Sequence, residues 1–209
     1  YGMTAHVDEC IGAIMDEVER LGLTNDTLII FTTDHGELLG DHGLILKGPY
    51  LYQGLINIPL IISDTTSAGR GRVQEHALLA LIDLFKTLCD GTDTPAPGHV
   101  QGGSLLPFVR GEAPAFRDSI LVEFHQTNAA DDGVQGRPLG LCCLQTRTAR
   151  LVVYSEGEGE LFDLEKDPQE FFNVFHKPEY RDLRQALTEE LLRQKIQAEV
   201  CWPVGGSGA

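Results

Sequence analysis

One continuous apolar run stands near the start of the chain, and polar residues end it abruptly. Leu28, Ile29, Ile30 and Phe31 are followed by Thr32 and Thr33. A continuous run, as opposed to an alternating one, is typical of a strand in a parallel sheet whose two faces are covered by helices. The pattern therefore predicts a strand over residues 28–33, and a second apolar run predicts another strand over residues 58–63.

Helical spacing of apolar residues flanks these strands. Between residues 4 and 21 the apolar side chains recur every three or four positions, at Val7, Ile11, Ile14, Met15, Val18 and Leu21. Gly22 is a suitable C-terminal stop for this helix. A further helix is predicted from about residue 75 to residue 89, with His76 as a cap or surface residue in its first turn. The Pro-, Gly- and Thr-rich residues 91–103 predict a loop.

The second part of the chain contains short strand patterns separated by turns. Strands are predicted over residues 119–123, 139–145, 151–155 and 161–163, and their closeness in sequence indicates an antiparallel sheet. Leucines and an isoleucine at helical spacing predict a final helix over residues 179–200. We therefore expect an α/β fold in which residues 1–111 form part of a mixed or parallel sheet with flanking helices. Residues 112–209 are expected to form a smaller subdomain of antiparallel sheet plus helix.

The end of the first predicted strand carries the candidate chemistry. Asp34 and His35 follow the apolar run directly, and ligands of open α/β sheets collect beyond the carboxyl ends of the strands. A carboxylate oxygen and an imidazole nitrogen suit Ca²⁺, Mg²⁺, Mn²⁺ or Zn²⁺, although two ligands cannot fix which metal binds. Gly36 lets the backbone turn sharply, and the glycine-rich loop that follows leads to Lys47, whose ammonium can hold an anionic oxygen.

Each of these features also has a simpler interpretation. Asp-His-Gly by itself is a common turn, and a lone lysine is usually a solvated surface charge. Their combination is more specific, because a carboxylate expected to be buried, an imidazole and an ammonium at one strand end form a site for a cation and an anion together. The sequence therefore points to ester hydrolysis at sulfate or phosphate.

The same stretch resembles a known family. Residues 32–37 (TTDHGE), 39–44 (LGDHGL), Lys47-Gly48 and residues 58–62 (IPLII) are similar to the second signature region of the sulfatases, within the alkaline phosphatase superfamily. Residues 81–88 (LIDLFKTL) resemble the family's DLxPT helix, with Lys86 where proline is usual, and residues 103–107 (GSLLP) resemble its GxSLxP segment. Residues 160–173 resemble its ELYDLxxDPxExxN segment. The resemblance covers nearly the whole chain in the family's order and implies an alkaline-phosphatase-like fold.

The resemblance implies a role for each candidate residue. Asp34 and His35 would ligate a divalent cation, with Ca²⁺ expected first and Mn²⁺, Mg²⁺ or Zn²⁺ as alternatives, and Lys47 would be the catalytic residue that contacts the sulfate or phosphoryl oxygens. An Asp-His metal pair also occurs in relatives that cleave phosphonate monoesters and phosphodiesters, so the ester type stays open. A third reading is a noncatalytic assembly module that keeps the family's sequence without a working site. His42 is a candidate only for a position around the site, where it would contact the site residues and not the ligand. His125 is expected to be a surface residue.

The family's attacking group has no counterpart in this sequence. Sulfatases use a Cys-X-Pro-X-Arg or Ser-X-Pro-X-Arg segment whose first residue becomes formylglycine, together with two further metal-binding carboxylates. None of the five cysteines is followed by the required Pro and Arg. We therefore expect the chain to be the C-terminal part of a longer enzyme, inactive when isolated, with formylglycine in the other part.

Composition excludes some partners. A formal net charge of −15 and few Lys/Arg clusters argue against nucleic acid and against anionic membranes. The cysteines form neither a disulfide framework nor a zinc pattern, which favours reduced thiols and a cytoplasmic setting, and the adjacent Cys142-Cys143 pair is expected in or beside a strand. The expected partner is a small-molecule sulfate or phosphate ester. Exposed sheet edges or core surfaces would also allow pairing with a second copy of the chain.

Overall fold

The structure is a computed structural model that describes residues 1–63, 71, 73, 77–113, 116–126 and 139–200. In chain order the elements are α1 (Gly2–Arg20), β1 (Ile29–Thr32), a short 3₁₀ turn (Asp41–Gly43), α2 (Gln53–Ile56), β2 (Leu60–Ser63), α3 (Ile82–Gly91) and α4 (Leu106–Val109). They are followed by β3 (Ser119–Gln126), β4 (Leu139–Thr146), β5 (Ala149–Tyr154), β6 (Gly159–Asp163), a 3₁₀ turn (Pro178–Tyr180) and α5 (Arg181–Val200). The described part is a mixed α/β arrangement, as predicted.

The first helix and the first two strands lie where the sequence predicts them, but the strand direction differs. β1 pairs with β2 in antiparallel register, with Ile30 opposite Ile62, whereas the apolar run predicted a parallel sheet. All four residues of β1 are half-buried. The continuous apolar pattern reports that both faces of a strand are partly covered, and it carries no information on the direction of the neighbouring strand.

The helix predicted over residues 75–89 begins later than expected, at Ile82. Residues 75 and 76, including His76, lie outside the described residues. The buried carboxylate of Asp83 explains the late start, because its Oδ2 accepts the Ala80 N–H at 2.9 Å. Asp83 Oδ1 accepts the Gly103 N–H at 3.0 Å and pairs with the Arg117 guanidinium. One carboxylate thus joins the start of α3 to the loop after it and to the chain before β3.

Thr87 makes a second connection between α3 and that loop. Its buried hydroxyl donates to the Asp83 carbonyl at 2.7 Å and accepts the Leu105 N–H at 2.9 Å. Leu105 is itself fully buried. The resemblance to the DLxPT and GxSLxP segments therefore corresponds to a physical contact between the two segments.

The four-stranded sheet is an antiparallel meander in the order β3-β4-β5-β6, as the strand patterns predicted. Side chains alternate between its faces, because successive residues of a strand point in opposite directions. One face packs against α5, and its core consists of Leu144, Ala149, Leu151, Leu161, Val174, Leu187 and Leu191. Leu187 and Leu191 are one helical turn apart, whereas Leu183 and Ile196 of the predicted stripe are exposed.

The other face of this sheet packs against the segment that contains α2. Leu141, Cys143 and Val152 of the sheet form a buried cluster with Leu51, and Ile56 packs beside it. Cys142 and Cys143 both lie in β4, as predicted. Leu51 is only four residues from Lys47 in the sequence, so the C-terminal sheet packs against the segment that follows the candidate lysine. The proposed boundary between residues 111 and 112 stays a prediction.

No helix in the described part of the chain is long and apolar enough to cross a bilayer.

The connection between α3 and the Leu105 segment yields the first prediction. Thr87→Val keeps the side-chain volume but removes the hydroxyl, so the buried Leu105 N–H loses its acceptor. We expect the free energy of unfolding to fall by about 1–3 kcal/mol, measured by urea denaturation at unchanged m-value. Thr92→Val is the matched control, because the Thr92 hydroxyl is exposed where it donates to the Leu88 carbonyl. An equal loss in both variants would contradict this account.

Candidate functional site

Asp34, His35 and Lys47 come together immediately beyond the end of β1. His35 Nε2 lies 3.6 Å from Asp34 Oδ2 and 3.1 Å from Lys47 Nζ. All three residues line one cleft, which Tyr50, Gln53 and Asn57 also line. The structure therefore assembles the three residues that the sequence singled out.

The expectation of a buried carboxylate was wrong. The side chain of Asp34 is 82% exposed and that of His35 is 41% exposed. The reason is the position of the strand end, because β1 stops at Thr32 and both Asp34 and His35 lie beyond it, where they line the cleft. The pair is accessible to a ligand from solvent.

Hydrogen bonds orient Asp34 and His35. Asp34 Oδ1 accepts the His35 N–H at 3.0 Å and the Thr33 hydroxyl at 3.3 Å, which leaves Oδ2 facing His35. A hydrogen bond from the backbone of Asp34 to its own carboxylate lowers the pKa of this carboxyl, and the neighbouring His35 and Thr33 act in the same direction. The His35 Nδ1–H donates to the Gly36 carbonyl at 2.8 Å, so Nε2 keeps its lone pair toward Lys47 and Asp34.

The fit to a divalent cation can be tested on these atoms. Two metal–ligand bonds of about 2.0–2.5 Å can span the 3.6 Å between Asp34 Oδ2 and His35 Nε2. The donor atoms suit a hard or borderline cation, although the Lys47 ammonium, 3.1 Å from His35 Nε2, has to move aside before an ion can bind this nitrogen. Among the described residues no group of three His, Cys, Asp or Glu side chains could hold a metal. The pair therefore fits as half of a cation site.

The loop before Lys47 folds back on itself through left-handed residues. Gly40 has φ 105°, and Leu39, His42 and Leu46 also have positive φ. The Gly40 N–H donates to the Leu44 carbonyl at 2.7 Å, which closes the turn. This closed loop returns the chain to the cleft at Lys47.

His42 packs against Tyr52 and does not line the cleft with Asp34 and His35. Its ring stacks on Tyr52 with a centroid distance of 3.9 Å, and among the described residues its Nε2 has no hydrogen-bond partner. Tyr52 in turn donates to Glu160 Oε1 at 3.4 Å, and burial raises the pKa of Tyr52 to about 12. His42 therefore belongs to a ring stack between the loop and the C-terminal sheet. His125 lies in β3 beside Glu123, 3.4 Å away, and is exposed.

Residues 40–197 match the family described as N-sulphoglucosamine sulphohydrolase, C-terminal. An arylsulfatase of Clostridium perfringens is 30% identical over 198 residues, covering 91% of this chain and 39% of the relative.

The chain belongs to the sulfatase family.

Two solved structures resemble the sulfatase chain closely. The phosphonate monoester hydrolase of Agrobacterium radiobacter superposes with a TM-score of 0.84 at 32% identity, covering 95% of this chain and 40% of that one. A protein in complex with its substrate D-glucosamine-2-N,6-O-disulfate has a TM-score of 0.84 at 25% identity, with 98% and 41% covered. The sulfatase chain thus spans about two fifths of the length of the proteins it matches.

Some residues that shape the site were not singled out from the sequence. Gln53, Arg150 and Glu170 link the cleft to the C-terminal sheet, yet they are far apart in the sequence. Of these three residues, only Glu170 could have been found from the sequence, because it matches the glutamate of the segment similar to ELYDLxxDPxExxN.

Gly36 holds the Asp34–His35 turn against the segment that contains α2. Its N–H donates to the Leu55 carbonyl at 2.8 Å, and a Cβ at position 36 would lie 2.0 Å from the Gly54 oxygen. No side chain fits there without moving backbone. The glycine of the Asp-His-Gly motif is therefore required by close packing.

Gly36→Ala should push Asp34 and His35 away from α2. We expect a loss of about 1–3 kcal/mol in the free energy of unfolding, because the methyl group meets backbone atoms. Gly12→Ala is the control, since nothing lies within 4 Å of a Cβ in the middle of α1, and alanine favours a helix by up to about 1 kcal/mol. Urea denaturation of both variants measures this. Unchanged stability in Gly36→Ala would show that the contact is not tight.

Proposed function

We propose that this sulfatase chain supplies half of a cation site and an anion-binding lysine for the hydrolysis of sulfate esters. The observation that carries the proposal is the contact of His35 Nε2 with Lys47 Nζ at 3.1 Å beside Asp34 Oδ2 at 3.6 Å. A carboxylate and an imidazole attract a cation, and the adjacent ammonium attracts the anion. The whole arrangement suits a tetrahedral anionic ester.

The three residues have separate tasks in this proposal. Asp34 and His35 would hold the divalent cation, which when bound neutralises charge on the ester oxygens. Lys47 is a point charge that binds a nonbridging oxygen of the ester and stabilises the negative charge that spreads over the group during displacement. The Gly36 carbonyl holds the Nδ1–H of His35, so that Nε2 presents its lone pair to the cleft.

The attacking group is proposed to come from polypeptide outside these 209 residues. The sequence contains neither a Cys-X-Pro-X-Arg nor a Ser-X-Pro-X-Arg segment, and the chain covers 39% of the length of two of its relatives. The family resemblance implies formylglycine in that role. The same resemblance favours Ca²⁺, with Mn²⁺, Mg²⁺ and Zn²⁺ as the alternatives to be compared.

Hydrolysis of a phosphonate monoester or phosphodiester is the second candidate function. It is favoured by the similarity to the Agrobacterium phosphonate monoester hydrolase, and Lys47 would bind a phosphoryl oxygen as well as a sulfate oxygen. The sulfate reading is favoured by the match to the sulphohydrolase family and by the relative in complex with a disulfated glucosamine. A panel of aryl sulfate, phosphonate monoester and phosphodiester substrates separates the two.

Lys47→Ala and Asp34→Ala should abolish turnover in the longer polypeptide that carries the nucleophile segment. We expect kcat/KM to fall by at least about 100-fold on the preferred ester of the panel. Lys47→Ala removes the ammonium proposed to bind the ester, and Asp34→Ala removes a proposed ligand of the cation. Lys177→Ala is the control, since Lys177 is an exposed lysine that does not line the cleft. The 209-residue chain alone is the baseline, with little turnover and weak metal binding expected.

Near-normal activity in both variants, with unchanged folding by circular dichroism, would contradict the proposal. That result would favour the third reading, in which the chain is a noncatalytic assembly module.

We also propose that the chain pairs with a second copy through apolar surface. The side chains of Ile14 and Val7 in α1 and of Ile61 in β2 are more than half exposed, and α1 has no buried residue. Exposed apolar patches favour association.

Ile14→Lys should therefore shift the 209-residue chain toward the monomer in sedimentation-velocity experiments. Thr4→Lys adds the same charge to α1 at a polar, exposed position and is the control. A monomeric parent chain at all concentrations would overturn the pairing.

A further inference from the structure

Glu170 is a buried carboxylate between the C-terminal sheet and the segment that contains α2. Glu170 is 3% exposed, and its backbone has φ 60°. This left-handed conformation is unfavourable for a residue other than glycine. Glu170 follows β6 in the segment that resembles the ELYDLxxDPxExxN motif. A buried charge in a strained conformation is retained only where surrounding contacts compensate for it.

Both oxygens of Glu170 have specific partners. Oε1 pairs with the guanidinium of Arg150, which lies in β5 and is 2% exposed. Oε2 accepts the backbone N–H of Gln53, the first residue of α2, at 2.8 Å. Arg150 is held in turn by Gln145, whose Oε1 accepts its Nε–H at 2.5 Å.

A buried ion pair of this kind adds little to stability by itself, because removing two charges from water offsets most of their attraction. Its effect is on geometry. The pair fixes the direction of one carboxylate oxygen, and that oxygen fixes the backbone at Gln53.

The connection continues from Gln53 to the candidate site. Within the short helix that Gln53 begins, the Leu55 carbonyl accepts the Gly36 N–H at 2.8 Å. The Gly36 carbonyl accepts the Nδ1–H of His35, also at 2.8 Å. Glu170 is therefore connected to the metal pair by three hydrogen bonds and one turn of helix.

We propose that Glu170 is a positioning residue that sets the place of α2 and, through Gly36, the orientation of His35 and Asp34. The C-terminal sheet is then a working part of the site, because Arg150 in β5 aims the carboxylate. The expected effect of Glu170 on cation binding rests on the proposed function. The coupling between Glu170 and Gly36 is independent of that function.

Gln53→Pro tests the coupling without altering the ion pair. Proline removes the N–H that Glu170 accepts, and it is tolerated at the first position of a helix. Tyr52 has ψ 157°, the extended conformation that a residue before proline requires. The Gln53 side chain is exposed, so Gln53→Ala is the matched control that keeps the N–H. Packing of Leu51 in the sheet cluster should keep the segment folded.

The measurement is amide hydrogen exchange by NMR on the 209-residue chain. In Gln53→Pro we expect the Gly36 amide to exchange at least about tenfold faster than in the parent, whereas β4 and β5 amides keep their rates. In Gln53→Ala the Gly36 rate should stay at the parent value. Equal Gly36 rates in the two variants would overturn the inference.

A double variant keeps the inference testable if proline disrupts folding. Glu170→Ala combined with Arg150→Met removes both charges, so no unpaired ion is left in the interior. The Gly36 amide should again exchange faster, and a parent rate would overturn the inference.

Mn²⁺ alone is the probe for the site itself. In the parent it should broaden the imidazole resonances of His35, and Gln53→Pro should need a higher Mn²⁺ concentration for the same broadening. If Mn²⁺ leaves His35 unaffected in every protein while the Gly36 rates change as expected, the metal-binding proposal fails and the positioning role stands.

Discussion

The candidate site depends on the contact between the segment containing α2 and the face of the four-stranded sheet opposite α5. Leu51 completes a buried cluster with Leu141, Cys143 and Val152, and beside it the Glu170 carboxylate holds the Gln53 N–H. Apolar packing gives this contact its free energy, whereas the hydrogen bond gives it a defined register. Because Gly36 then packs against Gly54 and Leu55, the end of β1 is positioned by a sheet that begins more than eighty residues later.

This arrangement gives a physical reason for family segments whose purpose is not evident from the sequence alone. Asp83 and Thr87 fasten α3 to the loop around Gly103 and Leu105. Glu170 fastens the C-terminal sheet to α2. In each of these contacts a side-chain oxygen accepts a hydrogen bond from a backbone N–H group, which would otherwise lack a partner. We infer that these contacts between α3, the loop around Leu105 and the Glu170 segment hold the elements that surround the cleft in place.

Much of the secondary structure follows from local pattern. The spacing of Leu187 and Leu191 predicts α5, because burial of one helix face sets the period, and the short apolar run around Cys142 and Cys143 predicts β4. The direction of β1 could not be predicted, since its apolar run reports coverage of two faces and nothing about its neighbour. The start of α3 depends on where the Asp83 carboxylate finds donors, and those donors lie up to 34 residues away. Asp34, His35 and Lys47 could be found from residue chemistry, but the exposure of Asp34 and the supporting role of Glu170 arise only from tertiary packing.

In the cleft a carboxylate and an imidazole lie beside an ammonium, and we propose that a cation and a tetrahedral anion bind there side by side. Crystals of the 209-residue chain grown with MnCl₂ and sulfate, measured by anomalous diffraction at the manganese edge, test this most directly. We expect an anomalous peak about 2.0–2.5 Å from both Asp34 Oδ2 and His35 Nε2, with sulfate on Lys47 Nζ. Manganese bound elsewhere on the chain, with Lys47 directed away from any anion, would contradict it.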